Sequence, residues 1–219
     1  MSQSNCKVLC WNVRGLNDAA KRASVRNMIF SSGATIVCLQ ETKIANWTTT
    51  LLCQILGPSL AAQSVALPAT GTSGGILLAA HDRFFQLHSP HTSDHTVSAS
   101  ITLLADGTDW SITGVYGPQS DQDKILFLDE ITHLKQIMHP KWLLLGDFNL
   151  IYRMSDKNNT RVNIQMMNRF KRVIDGLQLV ELAMRGRRYT WSNEQDTPTM
   201  SRIDHVFCST DCVSAINPN

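Results

Sequence analysis

At 219 residues, 43% of them hydrophobic and 17% charged, the chain has core material for one large domain and is not the composition of a disordered one. Its net charge of +2 marks no extreme, and no apolar run approaches the length of a membrane span. The opening Met1-Ser2-Gln3-Ser4-Asn5 lacks the charged start and apolar stretch of a secretory leader, so an intracellular protein is expected.

In chain order, Lys7 to Asn12 alternates as a first strand, and Lys21 to Ser32 carries Val25, Met28 and Ile29 at helical spacing up to Gly33. Ile36 to Leu39 is a buried strand ending in Gln40-Glu41-Thr42-Lys43, and Thr48 to Leu56 is a short helix. The run Gly71-Thr72-Ser73-Gly74-Gly75 is a turn feeding a strand from Ile76 to Ala79, since no Lys-Ser/Thr follows to make a phosphate cradle. Phe84 to Leu87, Val97 to Leu103 and Trp110 to Tyr116 read as strands. A helix opened by Asp121 or Asp123 follows, its apolar face Ile125, Leu128, Ile131, Leu134 and Met138. After the strand at 142 comes the helix Ile164 to Leu177, with Met167, Phe170 and Ile174 facing in. Last, Arg188 to Ser192 and Ser201 to Cys208 alternate across a polar loop, as a hairpin with a long connection. No linker divides the chain, so residues 1–219 read as a single domain. The order fits two sheets packed face to face with helices outside better than one doubly wound sheet. The six cysteines (6, 10, 38, 53, 208, 212) form no Cys-x-x-Cys pair and read as reduced core thiols.

The stretch Trp142-Leu143-Leu144-Leu145-Gly146-Asp147-Phe148-Asn149 organises the rest. A short apolar run is a strand buried on both faces, and Gly146 permits a turn at its end. Alternation sends Asp147 and Asn149 the same way at the rim of the sheet and Phe148 back into the core. A turn in which Asp147 only bonds local backbone would use the same letters. Asn12, Glu41, Tyr116 and Asp204 also stand at strand ends, so five strands would present oxygen or amide groups at one edge. Such a set suits Mg²⁺, with a second carboxylate to take a proton from water and amides to hold phosphate oxygens. Charge is uneven: residues 153 to 202 hold ten basic and five acidic residues, a surplus of +5, and the remainder carries −3. That suggests a polyanionic partner on one side, although a solvated helix face gives the same count.

The ordered motifs Cys10-Trp11-Asn12-Val13-Arg14-Gly15-Leu16, Leu39-Gln40-Glu41-Thr42-Lys43, Gly114-Val115-Tyr116-Gly117-Pro118, Leu145 to Asn149, Tyr189-Thr190-Trp191-Ser192 and Ser201-Arg202-Ile203-Asp204-His205 resemble the endonuclease/exonuclease/phosphatase superfamily. More closely, Ser155-Asp156-Lys157-Asn158-Asn159 and Gly186 to Ser192 are similar to the endonuclease domain of plant LINE-type (non-LTR) retrotransposons. The resemblance implies a four-layer α/β sandwich of two mixed sheets with helices outside, and nicking of duplex DNA with Mg²⁺ or Mn²⁺. It implies a monomer acting in the nucleus, beside a reverse-transcriptase domain and not on a membrane. By matched position, Glu41 resembles the metal ligand, with Asn12 beside it. Asp147 resembles the group that activates water, and Asn149 and Tyr116 would steady the phosphate. Asp204 resembles the carboxylate that orients a catalytic histidine. The loop Asn193 to Met200 resembles a groove-probing hairpin flanked by Thr190, Trp191 and Ser192, with Arg187, Arg188 and Arg202 for DNA phosphates.

Two departures stand out. Arg14 occupies a position where relatives often carry an acid, and the sequence stops at Asn219 without the terminal Ser-Asp-His segment that ends the family's last strand. The second predicts a missing last strand and an incomplete site with severely impaired cleavage. His205 adjoins Asp204 but should face away from it, and Ser93-Asp94-His95 precedes the middle strands and reads as a loop.

Overall fold

Apolar runs such as those at 36–40, 76–80 and 142–147 need burial on both faces, and every residue of the three is buried. The computed structural model describes residues 6–184 and 186–211. β1 (Val8–Asn12) leads through α1 (Ala19–Ser32) to a parallel partner, β2 (Ile36–Gln40). After α2 (Thr49–Leu56) and the short α3 (Pro58–Ala61), β3 (Ser64–Leu67) and β4 (Ile76–Ala80) complete a sheet of order β1-β2-β4-β3. β5 (Phe85–Thr92), β6 (Thr96–Leu103) and β7 (Asp109–Tyr116) form an antiparallel meander. α4 (Asp121–Leu134) then crosses over to β8 (Trp142–Asp147), parallel to β7. α5 (Ile164–Gly176) precedes β9 (Leu179–Glu181), a hairpin of β10 (Trp191–Ser192) and β11 (Met200–Ser201), and β12 (Asp204–Ser209). β12 inserts between β8 and β9, giving the second sheet the order β5-β6-β7-β8-β12-β9.

Strand alternation builds the layers. Ile36, Cys38, Ile76 and Leu78 point from the first sheet into a shared core with Val97, Ala99, Leu143 and Leu145 of the second. The intervening Val37, Leu39, Leu77 and Ala79 face Val25, Ile29 and Ile55 of the helices outside. On the far side Leu144, Trp142 and Phe207 pack on Phe127, Leu128, Ile131, Phe170 and Ile174. The expected four-layer α/β sandwich of two mixed sheets is therefore present. The sheets approach closely where Gly114 faces Cys38, since a Cβ at 114 would overlap the Cys38 thiol.

Several local expectations change. Met28 is 48% exposed, so the inward face of α1 is Val25 and Ile29. In α5 the core residue is Met166, not Met167, in step with Phe170 and Ile174 at intervals of four. Ser120, not an aspartate, caps α4: its Oγ accepts from Asp123 N at 3.1 Å and donates to Asp123 Oδ2 at 2.6 Å. Gly146 makes no turn; it sits within β8 at φ 143°, where the Val115 carbonyl leaves no space for a Cβ. The segment 201–208 is broken at Arg202-Ile203, so only β11 returns to the hairpin while β12 joins the large sheet. Cys10, Cys38 and Cys53 carry free thiols, as expected. The expectation of a missing last strand falls on residues after Asp211, which lie outside the described residues.

Candidate active site

Both sheets end at one rim, and a cleft of about 1030 Å³ opens there. Asn12, Glu41, Tyr116, Asp147, Asn149 and Asp204 all line it, so the six residues drawn from five strand ends do converge. Register explains much of this. Asn12 is opposite Gln40, one residue before Glu41, while Asp147 is opposite both Tyr116 and Asp204. Opposed residues on neighbouring strands share a face, which brings the two aspartates together.

Asp147 is 4% exposed. Its Oδ2 accepts from Asn12 Nδ2 at 2.9 Å and its Oδ1 from the Asn149 backbone N–H at 3.0 Å. Burial and then the Asp204 charge push its pKa up to about 7, the two donors and a further push from Glu41 being smaller effects. The local-turn reading of Asp147 is thus half right: one oxygen does bond local backbone, and the other is held from the opposite sheet. Phe148 is fully buried, as alternation required.

Asn149 sits at φ 51°, a conformation asparagine tolerates, and its Nδ2 donates to Gly117 O at 2.6 Å. Arg14, Glu41 and Lys43, which tolerate it less well, also have φ values of 52°, 53° and 56°. Backbone strain of this kind collects where a site over-determines its residues. Glu41 pairs with Lys43 Nζ at 3.1 Å, and its charge bears on the Tyr116 phenol. Burial, reinforced by Glu41 and Asp147, pushes the Tyr116 phenol up to about 12, so it stays a donor at working pH.

Asp204 is pushed up by burial, against a lowering hydrogen bond from the Thr190 hydroxyl. That hydroxyl oxygen also accepts from Ile203 N at 3.1 Å and Asp204 N at 3.2 Å. His205 faces the other way, as expected: Nδ1 lies 2.8 Å from Glu181 Oε1 and Nε2 3.3 Å from Leu150 O. His95 is not in the cleft; its Nδ1 lies 3.2 Å from the Tyr116 carbonyl on the outer side.

The residues expected to meet DNA are only partly gathered. Arg187, Thr190, Trp191 and Ser192 line the cleft, whereas Arg188 lies over the Tyr189 ring at 5.4 Å. Arg202 also borders it, but it is not available to phosphates as expected. Its Nη2 donates to Glu181 Oε1 at 2.6 Å and the side chain is 14% exposed, because Glu181 is buried and requires a cation. Arg185, counted in the basic surplus, lies outside the described residues.

Some participants were missed from sequence. Lys43 follows Glu41 by two residues and neutralises it, a signal present in the Glu41-Thr42-Lys43 run. Thr190 was read only as a DNA contact, and its hold on Asp204 was missed, as was Glu181, which anchors His205, Arg202 and Arg153 (paired with its other oxygen); nothing local to either residue announces these long-range partners.

Among the described residues no three His, Cys, Asp or Glu side chains form a ready-made metal cage. Mg²⁺ needs none, since it keeps several waters and takes one or two carboxylates. The donors are oxygens, and Asp147 is pushed up first by burial and then by the Asp204 charge, a negative crowding that a hard cation would relieve. The oxygen donors present fit such an ion.

A sequence profile of the Endonuclease/Exonuclease/phosphatase family matches residues 9–217. The chain belongs to this family. Members of the Endonuclease/Exonuclease/phosphatase family are phosphate-ester hydrolases. A search of curated proteins found no match. Among solved structures, the chain is similar to the endonuclease domain of TRAS1, a telomere-specific non-LTR retrotransposon, with TM-score 0.70 and 17% identity over 94% of this chain and 86% of that one. An AP endonuclease from Archaeoglobus fulgidus gives TM-score 0.71 and 16% identity, covering 93% and 86%. A Bacteroides thetaiotaomicron mannosyl-6-phosphatase gives 0.59 and 15%, covering 93% and 85%. At such identities these likenesses establish the fold. Among the described residues no helix is long and apolar enough to cross a membrane.

Proposed function

We propose that residues 1–219 form one catalytic domain, a Mg²⁺-dependent endonuclease that nicks duplex DNA, of the kind retrotransposons use to open a target site. Asp147 carries the reading. A carboxyl held near pH 7 by burial and by Asp204, fixed by Asn12 and Asn149, is matched to taking a proton from water at working pH. Mn²⁺ could replace Mg²⁺. Bound at Glu41, the cation would supply charge neutralisation and polarise a phosphate oxygen. Lys43 pairs with the Glu41 carboxylate, and Tyr116, in the cleft wall beside it, is placed to steady the phosphate. Asn149, pinned through Gly117, keeps its second amide hydrogen for a phosphate oxygen. Arg187 and the Trp191–Ser192 hairpin flank the cleft where a duplex backbone would pass. The TRAS1 domain and a D. rerio TDP2 complexed with single-strand DNA product share the fold, which supports a nucleic-acid substrate. On this reading the domain works in the nucleus as a monomer, beside a reverse transcriptase.

The test is conversion of supercoiled plasmid to open circles. Nicking is expected with Mg²⁺, none with a chelator, and a loss of about 10²–10⁴-fold in Glu41→Gln. DNA retention without nicking would make the chain a catalytically inactive remnant, and preference for a soluble phosphomonoester would make it a phosphatase. Either result overturns the proposal.

A further inference from the structure

The run Ser155-Asp156-Lys157-Asn158-Asn159 contributes nothing to the cleft lining, yet it is built into the hairpin beside it. Asn158 behaves as a one-residue third strand. Its backbone N–H donates to Met200 O at 3.1 Å, its Oδ1 accepts from Met200 N at 3.0 Å, and its Nδ2 donates to Pro198 O at 2.7 Å. The neighbours extend the same edge: Lys157 bridges Ser201, and Asn159 Nδ2 donates to Thr199 Oγ1 at 3.3 Å. Inside the loop, Asn193 Oδ1 accepts from Thr199 N at 2.9 Å, closing it from the other side. The base of this segment is buried and fixed, with Asp156 Oδ2 accepting from Arg153 N at 2.8 Å and Asp156 O from Arg202 N at 2.7 Å.

A hairpin of two residues per strand cannot hold its own pose in water. Its first strand nevertheless carries Trp191, Ser192, Asn193 and Glu194 to the cleft wall. Across the mouth, among the described residues, Glu194 is paired with Arg14 at 3.9 Å, a pair exposed on both sides and weak. The pose of that wall is therefore set from behind, by the 157–159 edge.

We propose that Asn158 is a positioning residue that fixes the β10–β11 hairpin over the cleft and so determines where along a duplex the nick falls. This rests on the reading of the cleft as a DNA-nicking site. Asn158 touches none of the rim carboxylates, so the chemistry itself does not depend on it.

The experiment compares wild type with Asn158→Ala on two substrates, with hydrogen exchange as a separate readout. On supercoiled plasmid, Asn158→Ala is expected to lower kcat/KM about tenfold and flatten the distribution of nick positions mapped by primer extension. On bis(4-nitrophenyl) phosphate, too small to reach the hairpin, it is expected to stay within about twofold of wild type. Amide exchange across residues 198–201 is expected to quicken, and exchange in β8 to stay the same. An unchanged nick distribution, or an equal loss on both substrates, overturns the proposal. If wild type nicks no plasmid, it is the DNA reading that fails. Exchange then decides the structural half, and protection at 198–201 unaltered by Asn158→Ala overturns it.

Discussion

Asp147→Asn is expected to lower plasmid nicking by about 10²–10⁴-fold while making the metal-free protein less sensitive to alkaline pH. The loss follows from geometry: the Asp147 carboxylate, in the cleft wall, is held from the first sheet by Asn12 and locally by the Asn149 N–H, and an amide cannot take a proton at neutral pH. The stability effect has a definite sign. The folded-state pKa of Asp147, about 7, lies above its ordinary value of 3.8. Relative to the unfolded chain, this group therefore favours folding fully below the ordinary carboxylate range. The contribution is lost as pH rises through about 7, with a ceiling on the order of 4 kcal/mol. Melting temperature in chelator should thus fall between pH 5 and pH 8 in the wild type, and more shallowly in Asp147→Asn. Mg²⁺ should recover more of it at pH 8 than at pH 6, because a cation binds the ionised form and stabilises by mass action. Equal slopes for the two proteins would show that Asp147 is not the crowded acid described.

Glu181→Ala is expected to destabilise the fold by about 3–5 kcal/mol, roughly 10 °C in Tm for a chain of this size. The Glu181 side chain is 3% exposed; it accepts from Arg202 at 2.6 Å and lies 2.8 Å from His205 Nδ1, with Arg153 on its second oxygen. Removing it leaves Arg202, already with a buried Nε lacking a partner, facing a low-dielectric space with no counter-charge. Burial alone would raise the Glu181 pKa, but His205, Arg202 and Arg153 together bring it below the ordinary value. Its contribution is accordingly present above the ordinary carboxylate range and lost as pH falls through the lowered folded value. Denaturant melts at pH 7 should separate the variant from wild type by that amount, and the gap should narrow on acidification. A gap that persists undiminished under acid would assign the loss to packing.

The long elements were legible because their periodicity is a packing requirement. Runs such as Ile36–Gln40 and Trp142–Asp147 have nowhere to go but the interior, and both sheets follow from them. What escaped was short or decided at a distance. β3 and β9 have four and three residues at sheet edges, each with one partner, too little to impose an alternation. The Gly33 stop was readable because a left-handed cap at φ 64° is a local demand. Gly146 was misread since the demand there comes from Val115 on the next strand. The rim residues were found because each ends a strand, and strand ends on one side of a sheet must meet. Arg202 was placed wrongly because its partner, Glu181, lies 21 positions away with no motif linking them.

Asn12 and Glu41 ride on the four-stranded sheet, and Asp147 and Asp204 on the six-stranded one, with Gly114 pressed against Cys38 beneath them. An ion held between those groups would act as a rivet through two plates. Catalytic fitness is then tied to how the plates slide, so a substitution deep in the Leu143–Leu145 seam can silence the rim without touching it.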